Sequence, residues 1–315
     1  MSQQRPRRAQ AGAALLAAML TVTLVATFAA TALWQQWRNV EIESAERSRM
    51  QSAWLLTGAL DWARLILRED ARSSPTDHLA EPWAVPLQEA RLSSFLAFDK
   101  NSSSDAPEAF LSGQIIDLQS RLNVNNLVEG NKVSGPAMRS FGRLFELLGL
   151  PTEQLALLAD NLRLANDSNA ARAPLLPQHV EQLAWLGLSP QTVRFLKPYV
   201  TLLPERTPVN LNTASAEVIY ASIPVFEMSD AQRLVTERAR SHFRTLPEAG
   251  QKVVGFSDQL SVASRFFEVH GRLRVEHTTV EERSLVRRDG LDVNTLWRER
   301  EVVNVPMTAR LSSLQ

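Results

Sequence analysis

The run from Gly12 to Trp34 constrains this chain more than any other stretch. It contains no proline, and from Ala13 to Trp34 it holds no charged side chain. A helix needs about 20 apolar residues to cross a hydrocarbon core of about 30 Å, so the run is long enough for one crossing. Arg5, Arg7 and Arg8 precede it, whereas Glu41, Glu43 and Glu46 follow Arg38 on the far side. Basic residues stay on the cytoplasmic side of a membrane helix, so the N-terminus is expected in the cytoplasm of a single-pass inner-membrane protein, with the bulk of the chain periplasmic. Trp34 and Trp37 suit the outer interface.

Three fates of this segment are open. It is a plain signal anchor, or a secretory signal cleaved near Ala30-Thr31-Ala32, where small residues have the spacing of a signal-peptidase site. The third rests on a likeness. A short basic leader ending in Gly12, followed by an apolar helix that continues as a soluble one, resembles the class III signal of type IV pilins and type II secretion pseudopilins. That resemblance implies cleavage between Gly12 and Ala13 by prepilin peptidase, with the helix retained and its new N-terminus methylated.

No proline occurs between Arg7 and Ser74, so a single helix is expected from about Ala13 to Asp70, a transmembrane part over 13–34 and a periplasmic part over 35–70. At 1.5 Å per residue it is about 85 Å long. Leu55, Gly58, Ala59, Trp62, Leu65 and Ile66 recur at helical spacing, and this stripe is expected to pack on a sheet. Pro75, Pro82 and Pro86 end the helix and favour extended chain over Asp77–Ala84. Asp77, His78 and Glu81 there are metal-ligand types; a structural loop pinned by Trp83 is the simpler reading. Gly113–Gln119 reads as a strand.

The leader, the run Asp77-His78-Leu79-x-Glu81-Pro82-Trp83-Ala84, and Ile116-Asp117-x-x-x-Arg121-Leu122-Asn123-Val124-Asn125-Asn126 occur in an order and spacing similar to the protein K family of the type II secretion system, its large minor pseudopilins. The resemblance covers most of the chain and implies an α+β, pilin-like fold: a long N-terminal helix packed on a small antiparallel sheet, with a large all-α domain inserted. On this reading, 71–126 is the first part of the pilin-like module, 127–258 the helical insertion, 259–303 the closing strands and 304–315 a tail.

Within the insertion, Leu148-Gly149-Leu150-Pro151 and Leu186-Gly187-Leu188-Ser189-Pro190 are two helix–corner–helix units, with glycine suited to a left-handed stop and proline to a first turn. Val209–Gln232 resembles a helix-hairpin-helix unit, with Ser229 and Gln232 at capping-box spacing. Its hairpin, Ile223–Met228, lacks glycine and lysine and carries Glu227, which is poor chemistry for phosphate. Lys+Arg and Asp+Glu are both 34, so no basic excess marks a nucleic-acid partner. A membrane-anchored periplasmic DNA-binding protein using this unit is the alternative function; no nucleic-acid partner is the preferred reading. Members of the resembled family often carry an aspartate-rich calcium loop here. This chain keeps only Asp160 and Asp167, with Asn166 as a further oxygen donor, so a weak calcium site is the one cofactor considered.

Phe267, Val269, Gly271, Leu273 and Val275 alternate with polar residues as a half-buried strand. Val280–Arg288 and Leu291–Trp297 follow around a turn at Asp289-Gly290, completing an antiparallel meander. There is no cysteine, which excludes disulfides, thiolate metal sites and thiol nucleophiles. No catalytic motif such as Gly-x-Ser-x-Gly or His-Glu-x-x-His is present, so no enzymatic activity is expected. After processing, position five is Ala17, where pilins and most pseudopilins carry glutamate. The resemblance therefore implies a subunit capping the pseudopilus tip during export of folded proteins. Its partners are other minor pseudopilins, packed against Leu15, Leu16, Met19 and Leu24 in the membrane.

Overall fold

The structure, a computed structural model, describes residues 9–92, 108–167, 173–275 and 278–304. The basic leader before residue 9, the polar loop Asn101–Pro107, Ser168 and Asn169, His277 and the tail beyond residue 304 lie outside the described residues. The chain divides into two units, residues 1–55 and 56–315.

Helix α1 spans Ala9–Ser73, beginning four residues before the expected start and continuing through Gly12 and Ala13. In the first unit its apolar segment is long enough and apolar enough to cross a membrane. Four threonines in that segment satisfy their hydroxyls internally: Thr21, Thr23, Thr27 and Thr31 donate to the carbonyls of Ala18, Leu20, Leu24 and Thr27 at 2.8–2.9 Å. No hydroxyl is thereby left without an acceptor in surroundings that offer none.

In the second unit, β1 (Leu87–Arg91), β2 (Ala109–Asp117), β9 (Phe266–Val275), β10 (Thr278–Asp289) and β11 (Asp292–Asn304) form one antiparallel sheet in the order β1-β2-β9-β10-β11. Period-two patterning places Phe267, Val269 and Leu273 on one face. Leu56, Leu60, Ala63 and Leu67 of α1 lie buried, and Leu60, Ala63 and Leu67 form one core with Trp83, Phe267, Val269, Val286 and Val293. Burying each of these leucines stabilises the fold by roughly 1.5–3 kcal/mol. Gly113 and Gly271 are register partners. A Cβ on Gly113 would meet the His270 carbonyl at 2.8 Å, and one on Gly271 would meet Leu56 at 3.2 Å, so both positions hold glycine because neighbours come close.

The buried stripe on α1 differs from the expected one. Trp62 is 63% exposed and Leu65 50% exposed, while Leu56, Leu60, Ala63 and Leu67 face inward. This helix is apolar on two faces, and periodicity alone does not say which face a sheet will take. The loop expected to be extended over Asp77–Ala84 instead turns, ending in a 3-10 turn at Pro82–Ala84. On β11, Leu296 is an extra residue, so Leu285 pairs with Trp297 and Val286 with Thr295. Trp297 thus packs with Leu118, Leu203, Phe266 and Leu285, whereas Val293 joins the α1 side, despite their sharing one face in the sequence pattern.

Between β2 and β9 the chain builds a body with its own core. In order it contains β3 (Leu122–Asn123), β4 (Val128–Glu129), β5 (Lys132–Val133), α2 (Gly135–Leu147), α3 (Thr152–Ala165), α4 (Pro190–Leu196), β6 (Val200–Thr201), β7 (Val209–Asn210), α5 (Ala216–Ser222), α6 (Met228–Arg240), α7 (Gln251–Val254) and β8 (Leu260–Ser261). One buried cluster runs through it from Leu122 to Leu260. Two parallel strand pairs, β3·β6 and β7·β8, sit within this largely helical body. Gly149 (φ 64°) and Gly187 (φ 99°) make the two corners; a Cβ on Gly187 would run into the Leu157 side chain. Before Gly187 the first limb is a 3-10 helix over Val180–Leu186 rather than an α-helix.

Candidate functional site

The polar residues of the family-like motifs converge on a buried joint where the insertion leaves and re-enters the sheet. The end of α1 contributes Asp70 and the following loop Asp77, His78 and Glu81. From the other elements come Asp117 at the end of β2, Asn210 and Thr213 after the insertion's midpoint, Ser264 before β9, and Arg288 on β10. Arg288 forms ion pairs with Asp70 Oδ2 at 2.8 Å and Asp77 Oδ1 at 2.5 Å, and donates to the carbonyls of Ser264 at 3.0 Å and Leu67 at 3.3 Å. Asp117 accepts four hydrogen bonds: from Gln119 N–H (2.7 Å), Ser264 Oγ (2.6 Å), Thr213 Oγ1 (2.5 Å) and Asn210 Nδ2 (3.1 Å). Asp77 accepts from Ser264 N–H at 2.7 Å, and its carbonyl from Asn210 Nδ2 at 3.1 Å.

Glu81 folds the loop on itself. Its Oε2 accepts from His78 N–H at 2.8 Å and from the Trp83 indole N–H at 2.7 Å, while Trp83 meets Phe267 edge-on with centroids 5.3 Å apart. His78 Nε2 lies 3.5 Å from Glu81 Oε1, and the imidazole stacks on His242 with centroids 3.8 Å apart. Four buried carboxylates thus share the joint, and two of them, Asp70 and Asp77, meet its guanidinium. Burial, reinforced by the Glu81 charge and opposed by the Arg288 hydrogen bond, pushes Asp70 up to about 7. Burial pushes Asp117 up to about 6 against the donors from Ser264 and Thr213. Burial also lowers His242.

Among the described residues, Asp70, Asp77 and Glu81 are the one group of three close metal-type ligands, and Arg288 already meets two of the three. Of the expected calcium ligands, Asp160 is exposed on α3, and Asn166 closes that helix by donating to the Leu162 carbonyl at 2.9 Å. Six positions along a helix separate their backbones by about 9 Å. Asp167 follows Asn166 directly. Leu15, Leu16, Ala17, Met19 and Leu24 are exposed on α1.

A pair of asparagine turns, missed in the sequence, anchors each half of the insertion. Leu122-Asn123-Val124-Asn125 and Val209-Asn210-Leu211-Asn212 are alike in pattern, and each opens a parallel strand pair. Asn123 Oδ1 accepts from Leu203 N–H and Asn125 N–H, both at 3.1 Å, and its Nδ2 donates to the Glu205 carbonyl at 2.7 Å. Asn212 brackets Phe243, accepting from its N–H and donating to its carbonyl, both at 2.9 Å. The repeated Asn-x-Asn was the available signal.

The helix-hairpin-helix segment forms α5, a hairpin over 223–227, and α6. Its capping pair is Glu227 with Asp230, two residues before the expected Ser229 and Gln232: Asp230 accepts from Glu227 N–H at 3.3 Å. Arg143 of α2 grips the hairpin from inside, donating to the carbonyls of Tyr220 (3.1 Å), Pro224 (3.1 Å) and Phe226 (2.6 Å) with its guanidinium 3.9 Å from the Tyr220 ring centre. The Phe226 N–H is itself bonded to the Ile223 carbonyl at 3.0 Å. The hairpin is thus tied into the core through its carbonyls, and the Phe226 and Glu227 N–H groups are used within the protein.

Comparison with known proteins agrees with this geometry. Residues 120–205 and 209–268 each match a family described as type II secretion system (T2SS), protein K; the two matches divide between the two asparagine-anchored halves. Type II secretion system protein K of Pseudomonas aeruginosa is 29% identical over 94% of this chain and 91% of its own length. That of Pectobacterium carotovorum subsp. carotovorum is 26% identical over 93% of this chain and 97% of its own. Among solved structures, a chain of the GspK-GspI-GspJ complex from the type 2 secretion system of enterotoxigenic Escherichia coli has the same fold, with a TM-score of 0.60 and 17% identity over 82% of this chain and 98% of that one. The protein therefore belongs to the type II secretion system protein K family of minor pseudopilins.

Proposed function

We propose that this protein caps the tip of the periplasmic pseudopilus and so takes part in export of folded proteins across the outer membrane. On this reading α1 is anchored in the inner membrane with the N-terminus cytoplasmic, prepilin peptidase cuts between Gly12 and Ala13, and the exported body ends the fibre. The observation that carries the proposal is the buried joint. It locks the insertion to the sheet through Asp70, Asp77, Asp117 and Arg288, so the insertion is a fixed bulk that cannot swing aside to admit a further subunit. Ala17 supports the same reading. A carboxylate inside a membrane helix is unfavourable by roughly 2.5–3.5 kcal/mol and is retained where it pairs with the terminal amine of the next subunit. A terminal subunit has no such amine to meet.

Two surfaces suit the other minor pseudopilins: Leu15, Leu16, Met19 and Leu24 within the membrane segment, and the exposed stripe Gly58, Trp62 and Leu65 on the exported helix. The relative whose fold is shared comes from a complex with two further pseudopilins, which supports such partners here. Because the chain lacks cysteine, single variants Leu16→Cys and Trp62→Cys give clean disulfide cross-linking against cysteines in the other minor pseudopilins. A terminal subunit gives cross-links on one side only, and its mature N-terminus is Ala13. Cross-links to subunits both before and after it would refute capping. An Ala17→Glu variant that assembles and secretes normally would remove the amine-pairing part.

A further inference from the structure

A solvent-open cleft of about 470 Å³ lies between the two asparagine-anchored halves of the insertion. We infer that this cleft binds the free C-terminal carboxylate of a polypeptide, holding it at the N-terminus of α2 beside Ser134 and Arg206.

Helix α2 has 13 residues and begins at the cleft wall with Ser134 as N-cap and Gly135, Pro136 and Ala137 as its first turn. Pro136 has no N–H, so the first turn offers those of Gly135 and Ala137; first-turn N–H groups have no carbonyl within their own helix, and the helix dipole favours an anion beside them. An N-cap serine ordinarily accepts from one of these groups; Ser134 makes no such bond. Its hydroxyl is buried, has no hydrogen-bond partner, and belongs to a residue lining the cleft. A buried hydroxyl without a partner is unfavourable, and a carboxylate oxygen would accept from it.

Arg206 also lines the cleft, half exposed and bonded to Glu129 at 2.8 Å. A guanidinium has five N–H donors, so this one pair leaves others free to meet a second carboxylate. The wall carrying Arg206 is held in place because Asn126 accepts from Thr207 N–H at 3.0 Å and donates to its carbonyl at 2.7 Å. Two further features set the class of ligand. Phe141, Leu122 and Val209 give the floor an apolar part, suited to an apolar side chain next to the carboxylate. Glu129 and Asp258 also line it, which disfavours anions of higher charge such as phosphate. Capture of a chain end by helix-terminal N–H groups is a recurrent mode of peptide recognition.

The test uses the full chain in detergent micelles and a fluorescein-labelled tetrapeptide ending in leucine, followed by fluorescence anisotropy. The free acid should bind saturably, and the C-terminal amide at least about tenfold more weakly, as expected on losing a charge-assisted pair. Arg206→Gln and Ser134→Ala should each weaken the acid and bring the acid-to-amide ratio towards one, with unchanged circular dichroism. Arg206 is a surface residue, so its variant keeps the test valid if Ser134→Ala folds poorly. Equal affinity of acid and amide, or no saturation, overturns the inference. Displacement of the peptide by inorganic phosphate at lower concentration than by acetate also overturns it, in favour of a free-phosphate site.

Discussion

Replacing Arg288 by methionine tests the joint directly. Among the described residues the guanidinium is the one cation bonded to Asp70 and Asp77, whose side chains are 4% and 1% exposed, and it also serves the carbonyls of Leu67 and Ser264. Methionine fills much of the volume but donates nothing, so two buried carboxylates and two carbonyls lose a donor together. Breaking one side of a buried ion pair destabilises by about 3–5 kcal/mol, and this should be the loss at pH 8, above the raised value of Asp70. At pH 5.5 the loss should be smaller by about 1–2 kcal/mol, because Asp70, already raised to about 7, takes up a proton and needs no counter-charge. Equilibrium urea unfolding of the full chain in micelles, followed by near-ultraviolet circular dichroism, measures both values. A loss below about 1 kcal/mol at pH 8, or the same loss at both pH values, would show that Arg288 does not carry the joint.

Asp70→Asn should flatten the pH dependence of stability. A carboxyl raised in the folded state lets that state bind more protons than the unfolded chain, so its contribution to stability is lost as pH rises from about 4 through 7; urea midpoints between pH 5.5 and 8 should fall less steeply in the variant, by up to about 1.4 kcal/mol per pH unit. Arg143→Met should destabilise by about 2–3 kcal/mol through three carbonyls, one in α5 and two in the hairpin, that lose its guanidinium as donor. If the hairpin is a structural unit, neither that variant nor the parent protein retards duplex DNA in a gel at moderate salt, whereas retardation of the parent alone would restore the DNA-binding alternative. Gly187→Ala should reduce stability by about 1–3 kcal/mol in urea unfolding, since φ is 99° and the added Cβ meets Leu157; an unchanged midpoint would mean that the corner relaxes freely.

The parts legible in the sequence were those written in local periodicity. The unbroken α1, the alternation in β9 and the turn at Asp289-Gly290 are carried by neighbouring residues, and so is the corner at Gly149. Strand β1 escaped notice because Leu87-Gln88-Glu89-Ala90-Arg91 is a short, exposed edge with no alternation to see. The partly misplaced stripe on α1 has a similar origin: Trp62 and Leu65 repeat as well as Leu60 and Leu67 do, and of the expected residues Ile66 does reach the core, whose sheet side comes from Phe267 and Val269, about 200 residues away. The joint was less legible still. Asp77 bonds Ser264, Asp117 bonds Thr213 and Asn123 bonds Leu203, each across about 80 residues or more. In one dimension these are isolated polar residues, and only the topology makes them a group.

Strands β2 and β9 are adjacent and antiparallel, with Asp117 opposite Phe267. Everything from Leu118 to Arg265 is therefore, in topological terms, the loop of a hairpin. The entropy of closing a flexible loop grows only as the logarithm of its length, about 0.6 kcal/mol for each doubling, and a folded insert with neighbouring ends pays even less. The register of the sheet is consequently indifferent to how much chain lies between those strands. What the insertion adds to the sheet is not closure but contact: Leu118 and Leu203 pack with Phe266, Leu285 and Trp297. The strand order β1-β2-β9-β10-β11 is thus a closed unit in its own right, with the helical body hung from one of its ends.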